Sequence, residues 1–393
     1  YRYKKIKGEW VKDKTEFRGQ WGVSHDNAGR LFYNYNWSQL HADLVPPGAL
    51  QKNIHHTPTS GIDHGLTLER TFDERGRLLE FTAACSPFIY RGSSLPSSYF
   101  GDAFVCEPAA NLIKQDNIIE DGFMLLAEGV YKNKEFLAST DERFRPVALA
   151  SGPNGNLYVA DMYRGIIQDG IYMTPYLREV SVNRKLVQPI HMGRIWRISQ
   201  KGKKAENTPD LSKLDIPDLV KLLGNDNGWT RDNAQRLLVE KEQLSTSLPY
   251  LEIQISKGNP LGQLHALWTL EGLGNSDPKI YLKALYAKDD KVAQAALRLL
   301  VELVPEHPRL KNEIQQFIDE QYMNASPLLR MQMVLVSHEI PSQDAFQLIQ
   351  KFLHSYGSFP VARDVIMSSL QDREADLMRV LLADKEWKTD DQN

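Results

Sequence analysis

Two histidines in the first part of the chain carry the side chain that a proton-transfer step needs. His25 and His41 flank an alternating aromatic run, Leu31–Leu40. Because free imidazole titrates at about pH 6.5, either ring can accept a proton from a hydroxyl group as a general base. A histidine in a loop is also often merely solvated, so both interpretations stay open for each ring.

Two carboxylates and one amide stand at the ends of strand-like segments. Glu107 starts the run Glu-Pro-Ala-Ala-Asn that ends at Asn111, and Asp161 closes the alternating segment Leu157–Asp161. Carboxylate and amide oxygens are the ligands that Ca²⁺ prefers, so Glu107 and Asp161 are candidate calcium ligands. In the alternative interpretation, Asp161 caps a turn and Glu107 orders a loop through backbone N–H groups.

Two arginines lie in the same part of the chain. Arg91 and Arg164 each offer a planar fork of N–H donors, which suits the recognition of carboxylate or quinone oxygens. Ion pairs between neighbouring sheets are the alternative role for both side chains.

A degenerate repeat predicts the element that positions these groups. Each copy has a Gly-containing turn, a half-buried strand and then an amide or an acid; the copies are Asn27–Asn34, Phe100–Glu107 and Asn154–Asp161. Repeated units of this kind are typical of β-propellers. Three copies are too few to close most propellers. We therefore expect a partial propeller whose remaining blades come from an N-terminal segment that precedes Tyr1.

The second half predicts stacked helices instead. Apolar residues recur at helical spacing with small alanines on the same stripe, and the pattern returns at about 30–37 residues, as in HEAT-like α-solenoids. The runs are 219–223, 229–238, 262–270, 292–300 and 328–334. We therefore predict propeller blades over residues 1–200, a charged linker over 201–209 and an α-solenoid over 210–393. Asn225, Asp226, Asp289 and Asp290 are the expected turn and cap residues.

Composition narrows the function classes. A net charge of -3 without a basic stripe argues against a nucleic-acid partner. No apolar run reaches the roughly 18 residues that span a membrane. Cys85 and Cys106 are too few for a zinc site and form no Cys-x-x-Cys-His haem motif, which leaves two buried thiols or one disulfide as open alternatives.

Taken as a set, the motifs of the first half resemble one family. They are Gln20–Asn34, Ala84–Gly92, Phe104–Leu112, Asp161–Ile167 and Gly193–Ile198. The set resembles the membrane-bound dehydrogenase-like proteins of planctomycetes and Bacteroidetes. In that family a sugar-dehydrogenase-type β-propeller precedes HEAT-like repeats and usually a c-type cytochrome domain, which this chain lacks.

The resemblance implies the substrate-side part of a periplasmic or otherwise extracytoplasmic, quinone-type sugar or alcohol dehydrogenase. Its implied partners are a sugar or small polyol, and a cytochrome c domain or protein that docks on the solenoid. It assigns His25 or His41 as general base, Arg91, Arg164 and Asn111 to pyrroloquinoline quinone or substrate, Glu107 and Asp161 to Ca²⁺, and Cys85 and Cys106 to a disulfide.

One departure weakens the assignment. Gln168 is followed by Asp169, where the family pattern leads us to expect histidine. Two alternatives therefore stand beside the dehydrogenase: a non-catalytic propeller–solenoid scaffold that binds glycan or protein, and a Ca²⁺-dependent lactonase-like hydrolase.

Overall fold

The computed structural model describes residues 2–6, 9–13, 19–46, 49, 81–132, 134–204 and 210–384. Most of the predicted linker, residues 205–209, lies outside these ranges. The described strands are β1 (Arg2–Ile6), β2 (Glu9–Asp13), β3 (Val23–His25), β4 (Leu31–Tyr35), β5 (Ser38–Ala42), β6 (Cys85–Ile89), β7 (Ala103–Glu107), β8 (Leu112–Asp121), β9 (Met124–Gly129), β10 (Leu137–Ala138), β11 (Pro146–Ser151), β12 (Leu157–Asp161) and β13 (Arg194–Ile198).

These strands form small antiparallel sheets. Besides the β1–β2 hairpin, the sheet orders are β3-β4-β5, β10-β8-β7-β6 with β9 also on β8, and β11-β12-β13. The three predicted repeat copies are confirmed as strands β4, β7 and β12, and each has a partner strand on both sides. Within the described ranges no sheet closes into a barrel.

Strand periodicity explains why an acid is buried at the end of β12. Successive side chains point to opposite faces of a strand, so Leu157, Val159 and Asp161 share one face. All three are buried, and the alternating burial of β12 matches this period. Leu157 and Val159 join Phe104 and Ile113 of the neighbouring sheet in one apolar cluster. Asp161 is therefore held at the edge of a core.

Helices make up the remainder of the described chain. They are α1 (Pro175–Asn183), α2 (Ile216–Leu222), α3 (Gly228–Lys241), α4 (Leu244–Lys257), α5 (Pro260–Gly272), α6 (Lys279–Leu285), α7 (Asp290–Leu303), α8 (Leu310–Gln321), α9 (Pro327–Leu335), α10 (Ser342–Tyr356), α11 (Pro360–Leu370) and α12 (Glu374–Ala383). The five predicted helical runs are confirmed within α2, α3, α5, α7 and α9, except that Leu223, the last residue of the first run, is the C-cap of α2.

Polar side chains cap the starts of six of the twelve described helices, including α3 and α7. Asp289 is the N-cap of α7, as predicted, and accepts from the Lys291 N–H. Asp290 instead accepts from the N–H of Ser326, at the start of α9, and so links two successive helix pairs. Before α3 the N-cap is Asn227 rather than Asn225 or Asp226, and the Asn225 amide oxygen accepts from the Asn227 N–H.

The helices stack in sequence order and share a core with the sheets. Helices α3, α5, α7, α9 and α11 contact one another in turn, while α2, α4 and α6 form a second row. Phe123, which follows β8, packs against Phe352, Tyr356 and Phe359. The architecture is thus a mixed β and α fold in which apolar contacts join the sheets to the helices. None of the described helices is long and apolar enough to cross a membrane.

Candidate functional site

The carboxylate of Glu107, a predicted calcium ligand, accepts hydrogen bonds from backbone N–H groups. Its Oε2 accepts from the N–H groups of Thr82 and Ala83, both at 3.0 Å, and its Oε1 accepts from Ala109 at 2.9 Å. The side chain is only 2% exposed, and burial raises the pKa of Glu107 to about 7 despite these donors. Glu107 orders the turn after β7.

Asp161 is held in the same way. Its Oδ1 accepts from the backbone N–H groups of Arg145 and Tyr163, both at 2.8 Å, and its Oδ2 accepts from the indole N–H of Trp196 at 3.0 Å. The carboxylate thereby fastens β11 and β13 to the end of β12. The described residues contain no group of three or more His, Cys, Asp or Glu side chains placed to hold a metal.

Arg145, which the sequence analysis missed, organises these strand ends. Its guanidinium donates to the carbonyls of Pro108 at 2.6 Å, Gly165 at 2.8 Å and Arg164 at 3.0 Å. Arg164 therefore contributes its carbonyl here, while its side chain is exposed. Asn111, in a left-handed backbone conformation, donates to the Phe144 carbonyl at 2.6 Å. The strand-end residues therefore lie close together, but their polar side chains are engaged in hydrogen bonds, mostly to backbone groups.

His41 and His25 lie in different surroundings. The Nε2 of His41 is 2.6 Å from the Ser38 hydroxyl, and its ring stacks on Tyr33. His25 is partly exposed, with Nε2 3.2 Å from the Arg91 guanidinium. Burial and the Arg91 charge lower the pKa of His25. The two predicted general bases do not share a site.

Arg91 is an ion-pair residue between the sheets and the helices. Its guanidinium donates to both carboxylate oxygens of Asp232 on α3, at 3.2 and 2.5 Å. Its carbonyl accepts from the Gly228 N–H at 2.7 Å, at the start of that helix. This contact is the ion-pair alternative that the sequence left open, although the partner is a helix and not a second sheet.

A second arginine is fully buried behind that pair. Arg231 donates to the carbonyl of Asn225 and to the side-chain oxygen of Asn27, both at 2.5 Å. Its Nε lies 3.4 Å from Nε2 of His265, whose Nδ1 contacts the Gln235 amide oxygen at 2.7 Å. Burial lowers the pKa of Arg231 to about 10, and burial together with Arg231 lowers the pKa of His265 to about 4.

A cleft with an enclosed volume of about 50 Å³ lies beside this junction and is lined from both parts of the chain. We call it the junction cleft. Its lining residues are Ala28, Gly29, Arg30, Leu44, Val45 and Pro46 from the sheet side, and Leu264, Trp268, Lys291, Gln294, Ala295, Arg298, Leu328 and Gln332 from α5, α7 and α9.

The charges of the junction cleft all have one sign. Arg30, Lys291 and Arg298 line it, and no carboxylate is among its lining residues. Arg30 and Lys291 are positioned by a shared contact with Glu120 Oε1, at 2.6 and 2.9 Å. The Arg298 guanidinium lies 5.4 Å from the centre of the Trp268 ring. Arg30 also donates to the Asp26 carboxylate at 2.6 Å. The cleft therefore places three cations, at least two of them already paired with carboxylates, beside an aromatic ring.

Gln332 adds a side-chain amide oxygen that has no hydrogen-bond partner in the described part of the protein. Its side chain is 3% exposed, and its Oε1 is buried without a hydrogen-bond partner. A buried acceptor in this condition costs about 1–3 kcal/mol unless something donates to it. Gln332 lines the junction cleft, so a rotation of its amide toward the cleft would bring this oxygen within reach of a ligand hydroxyl.

The two cysteines occupy directly opposed positions on neighbouring strands. Cys85 on β6 pairs in register with Cys106 on β7, and both are free thiols in the structure. Burial raises the pKa of Cys106 well above its ordinary value. The register places the pair side by side, and the disulfide stays a prediction.

Comparison with known proteins identifies the first part of the chain. Residues 1–202 match the sequence model of a family described as a domain of unknown function (DUF7133), so the chain belongs to that family. No curated protein matches it. One solved structure, described as an engineered protein, is 15% identical, covers 44% of this chain and 90% of its own, and has a TM-score of 0.28.

Proposed function

We propose that this member of the DUF7133 family is a non-catalytic binding protein that holds an acidic saccharide in the junction cleft. The observation that carries the proposal is the lining of that cleft: three cations, an aromatic ring and an unpartnered buried amide oxygen, with no carboxylate among them. Each of these groups matches one part of a sugar acid.

Individual groups of the cleft match individual parts of a sugar acid in their chemistry. The apolar C–H face of a pyranose packs on an indole ring such as Trp268, which is only partly buried. A sugar hydroxyl donates to the Gln332 amide oxygen. The carboxylate of a uronate accepts from the Lys291 ammonium and the Arg298 guanidinium, and such charge-assisted hydrogen bonds are roughly twice as strong as neutral ones.

The proposed architecture is a set of propeller-type blades braced by a HEAT-like α-solenoid. Supporting the blades, the repeated strands β4, β7 and β12 are each the middle strand of an antiparallel group. Supporting the solenoid, α3, α5, α7 and α9 contact one another in chain order. In this arrangement the turn that contains Ala28 and Gly29 reaches the helices and completes the cleft.

A scaffold role is favoured over catalysis because the acid and base candidates are held by structural contacts. Both oxygens of Glu107 and of Asp161 accept N–H groups, and Asn111 donates to a carbonyl. The residues assigned to the quinone, Arg91, Arg164 and Asn111, do not converge on one space, so they do not fit that cofactor as a set. An extracytoplasmic location remains a proposal from the family resemblance.

Calorimetric titration tests the proposal with digalacturonate and its methyl diester, which keeps both rings but removes the charge. We expect the acid to bind and Lys291→Gln to weaken binding about tenfold, equivalent to about 1.4 kcal/mol. Lys288→Gln is the matched control, since Lys288 is exposed and absent from the cleft lining. Equal binding of the diester, or no binding of the acid, overturns the proposal.

Gln332→Met gives the second arm of the test. The variant keeps the length of the side chain and removes the unpartnered oxygen, so we expect unfolding to need the same or more urea. We expect it to bind digalacturonate less tightly, because the hydroxyl loses its acceptor. A variant that loses stability and binding together points to a packing role for Gln332.

The dehydrogenase remains the second candidate, and His25 is the observation that favours it. Its lowered pKa keeps the ring neutral near pH 7, which is the form a general base needs. Dye reduction by the protein with pyrroloquinoline quinone, Ca²⁺ and a panel of sugars tests this candidate. Turnover that His25→Gln abolishes supports the dehydrogenase and contradicts the non-catalytic proposal.

A further inference from the structure

Exposed apolar side chains are concentrated in one segment between residues 162 and 196. Eleven of the large apolar side chains that remain exposed lie there: Met162, Ile171, Tyr172, Tyr176, Leu177, Val182, Val187, Ile190, Met192, Ile195 and Trp196. Helix α1 buries only Ser181 and leaves Tyr176, Leu177 and Val182 exposed. Exposure on this scale is typical of an interaction surface.

The same segment is strongly basic. Residues 162–204 contain nine Lys and Arg against two Asp and Glu, in a chain whose net charge is -3. Several of these cations are positioned by neighbours. The Arg194 guanidinium lies 3.5 Å from the centre of the Tyr163 ring and 5.5 Å from that of Trp196. The positive charge is thus held on an aromatic, exposed surface.

An open strand edge runs through this surface. Strand β13 pairs with β12 from Arg194 opposite Asp161 to Ile198 opposite Leu157, and no described strand pairs with its other edge. Ile195 is 75% exposed and Trp196 is 45% exposed. An edge strand presents backbone N–H and C=O groups that another extended chain can pair with.

A groove of about 410 Å³ lies along α1, in the same stretch of the sequence. Its lining residues are Met173, Pro175, Arg178, Glu179, Val182 and Asn183. Arg178 adds a further cation, and Val182, which is 61% exposed, adds apolar area.

We propose that the open edge of β13 is the docking site for an acidic, extended segment of a partner protein, which adds as a fourth strand to the β11-β12-β13 sheet. Main-chain hydrogen bonds to β13 give affinity, and acidic side chains on the face of the sheet that carries Arg197 give selectivity. A second copy of this chain is disfavoured as occupant, because the strongly basic segment of one copy would face the same segment of the other. Duplex nucleic acid and anionic lipid match the charge but cannot pair with the strand edge.

Fluorescence anisotropy tests the proposal with a labelled peptide that alternates Glu and Val. We expect the peptide to bind, and two control peptides not to bind: one with Lys in place of Glu, and one with N-methyl groups on alternate backbone amides. We expect Arg197→Glu to weaken binding about tenfold, equivalent to about 1.4 kcal/mol. Lys279→Glu is the matched control, because it makes the same charge change at an exposed site at the start of α6.

Three results overturn the proposal. Equal binding of the N-methylated peptide shows that charge alone attracts it, without strand pairing. Tighter binding of a DNA duplex or of phosphatidylserine vesicles assigns the surface to another class of partner. Dimerisation of the protein by itself in sedimentation, lost in Arg197→Glu, assigns the edge to a second copy.

Discussion

Asp161 has a structural role that two substitutions separate from a metal-binding one. Asp161→Ala leaves the N–H groups of Arg145, Tyr163 and Trp196 without their acceptor, and we expect a loss of roughly 3 kcal/mol of unfolding free energy. Asp161→Asn keeps one oxygen for the two backbone donors, so we expect a loss of only about 1 kcal/mol. Urea unfolding measures both losses.

If Asp161 instead binds a metal, the two substitutions should have a different effect. In that case added Ca²⁺ raises the unfolding midpoint of the wild type, and Asn removes the effect as completely as Ala does. Equal costs for the two substitutions also contradict the capping role.

His265 predicts a pH dependence of stability. Its pKa is about 4 in the folded protein and about 6.5 when free, so the unfolded chain binds the proton more tightly. Between these two values the wild type loses stability as the pH falls. We expect the unfolding free energy of wild type, relative to His265→Gln, to drop by about 2–3 kcal/mol between about pH 7.5 and 4.5. Parallel pH profiles for the two proteins would contradict this assignment.

For single residues, the sequence predicts where a side chain lies in a strand better than it predicts the hydrogen-bond partners of that side chain. The alternation of Leu157–Asp161 predicted an acid at the end of a strand, and the structure has it there. Two of its three donors come from Arg145, just before β11, and from Trp196 on β13, and no local pattern relates those positions to Asp161. The junction cleft was missed for the same reason, because Gly29 and Trp268 meet only after the sheets and helices pack.

The contact between helix α3 and the sheets depends on a glycine at the first position of the helix. A Cβ at Gly228 would lie 2.8 Å from the Arg91 Cβ and 3.0 Å from its carbonyl oxygen. The Arg91 backbone would have to move, and we expect Gly228→Ala to cost about 1–3 kcal/mol, although alanine is the better helix former. Gly170→Ala is the control, since a Cβ there meets nothing within 4 Å. Equal unfolding midpoints for the two variants would show that α3 docks without close contact.

Element type was readable from the sequence where the periodicity was long. The alanine-containing stripes predicted five of the helices, because a stripe that repeats every 3.6 residues has no other regular solution. Helix α1 was not predicted. Its apolar residues are exposed and so follow no buried stripe.

The two parts of the molecule are joined by a charged junction whose removal should weaken both. Asp232→Ala leaves Arg91 and Arg231 without their carboxylate neighbour. Since the Asp232 side chain is 31% exposed, we expect a loss on the order of 2 kcal/mol, below the range for a fully buried pair. Glu240→Ala, which breaks an exposed ion pair on the same helix, should change stability by less than about 0.5 kcal/mol.

Circular dichroism followed at strand-sensitive and helix-sensitive wavelengths measures this coupling. The wild type should unfold in one transition at both wavelengths, because the sheets and helices share a core. Asp232→Ala should lower the midpoint and separate the two transitions. A variant that keeps the wild-type midpoint would show that apolar packing alone joins the two parts.

The central claim is that the junction cleft binds an acidic saccharide, and a crystal structure of the protein with digalacturonate tests it most directly. We predict a pyranose ring on the face of Trp268, a carboxylate on Lys291 and Arg298, and a hydroxyl donating to Gln332 Oε1. Density for the sugar at another surface, or a cleft that holds only solvent at saturating digalacturonate, would contradict the account.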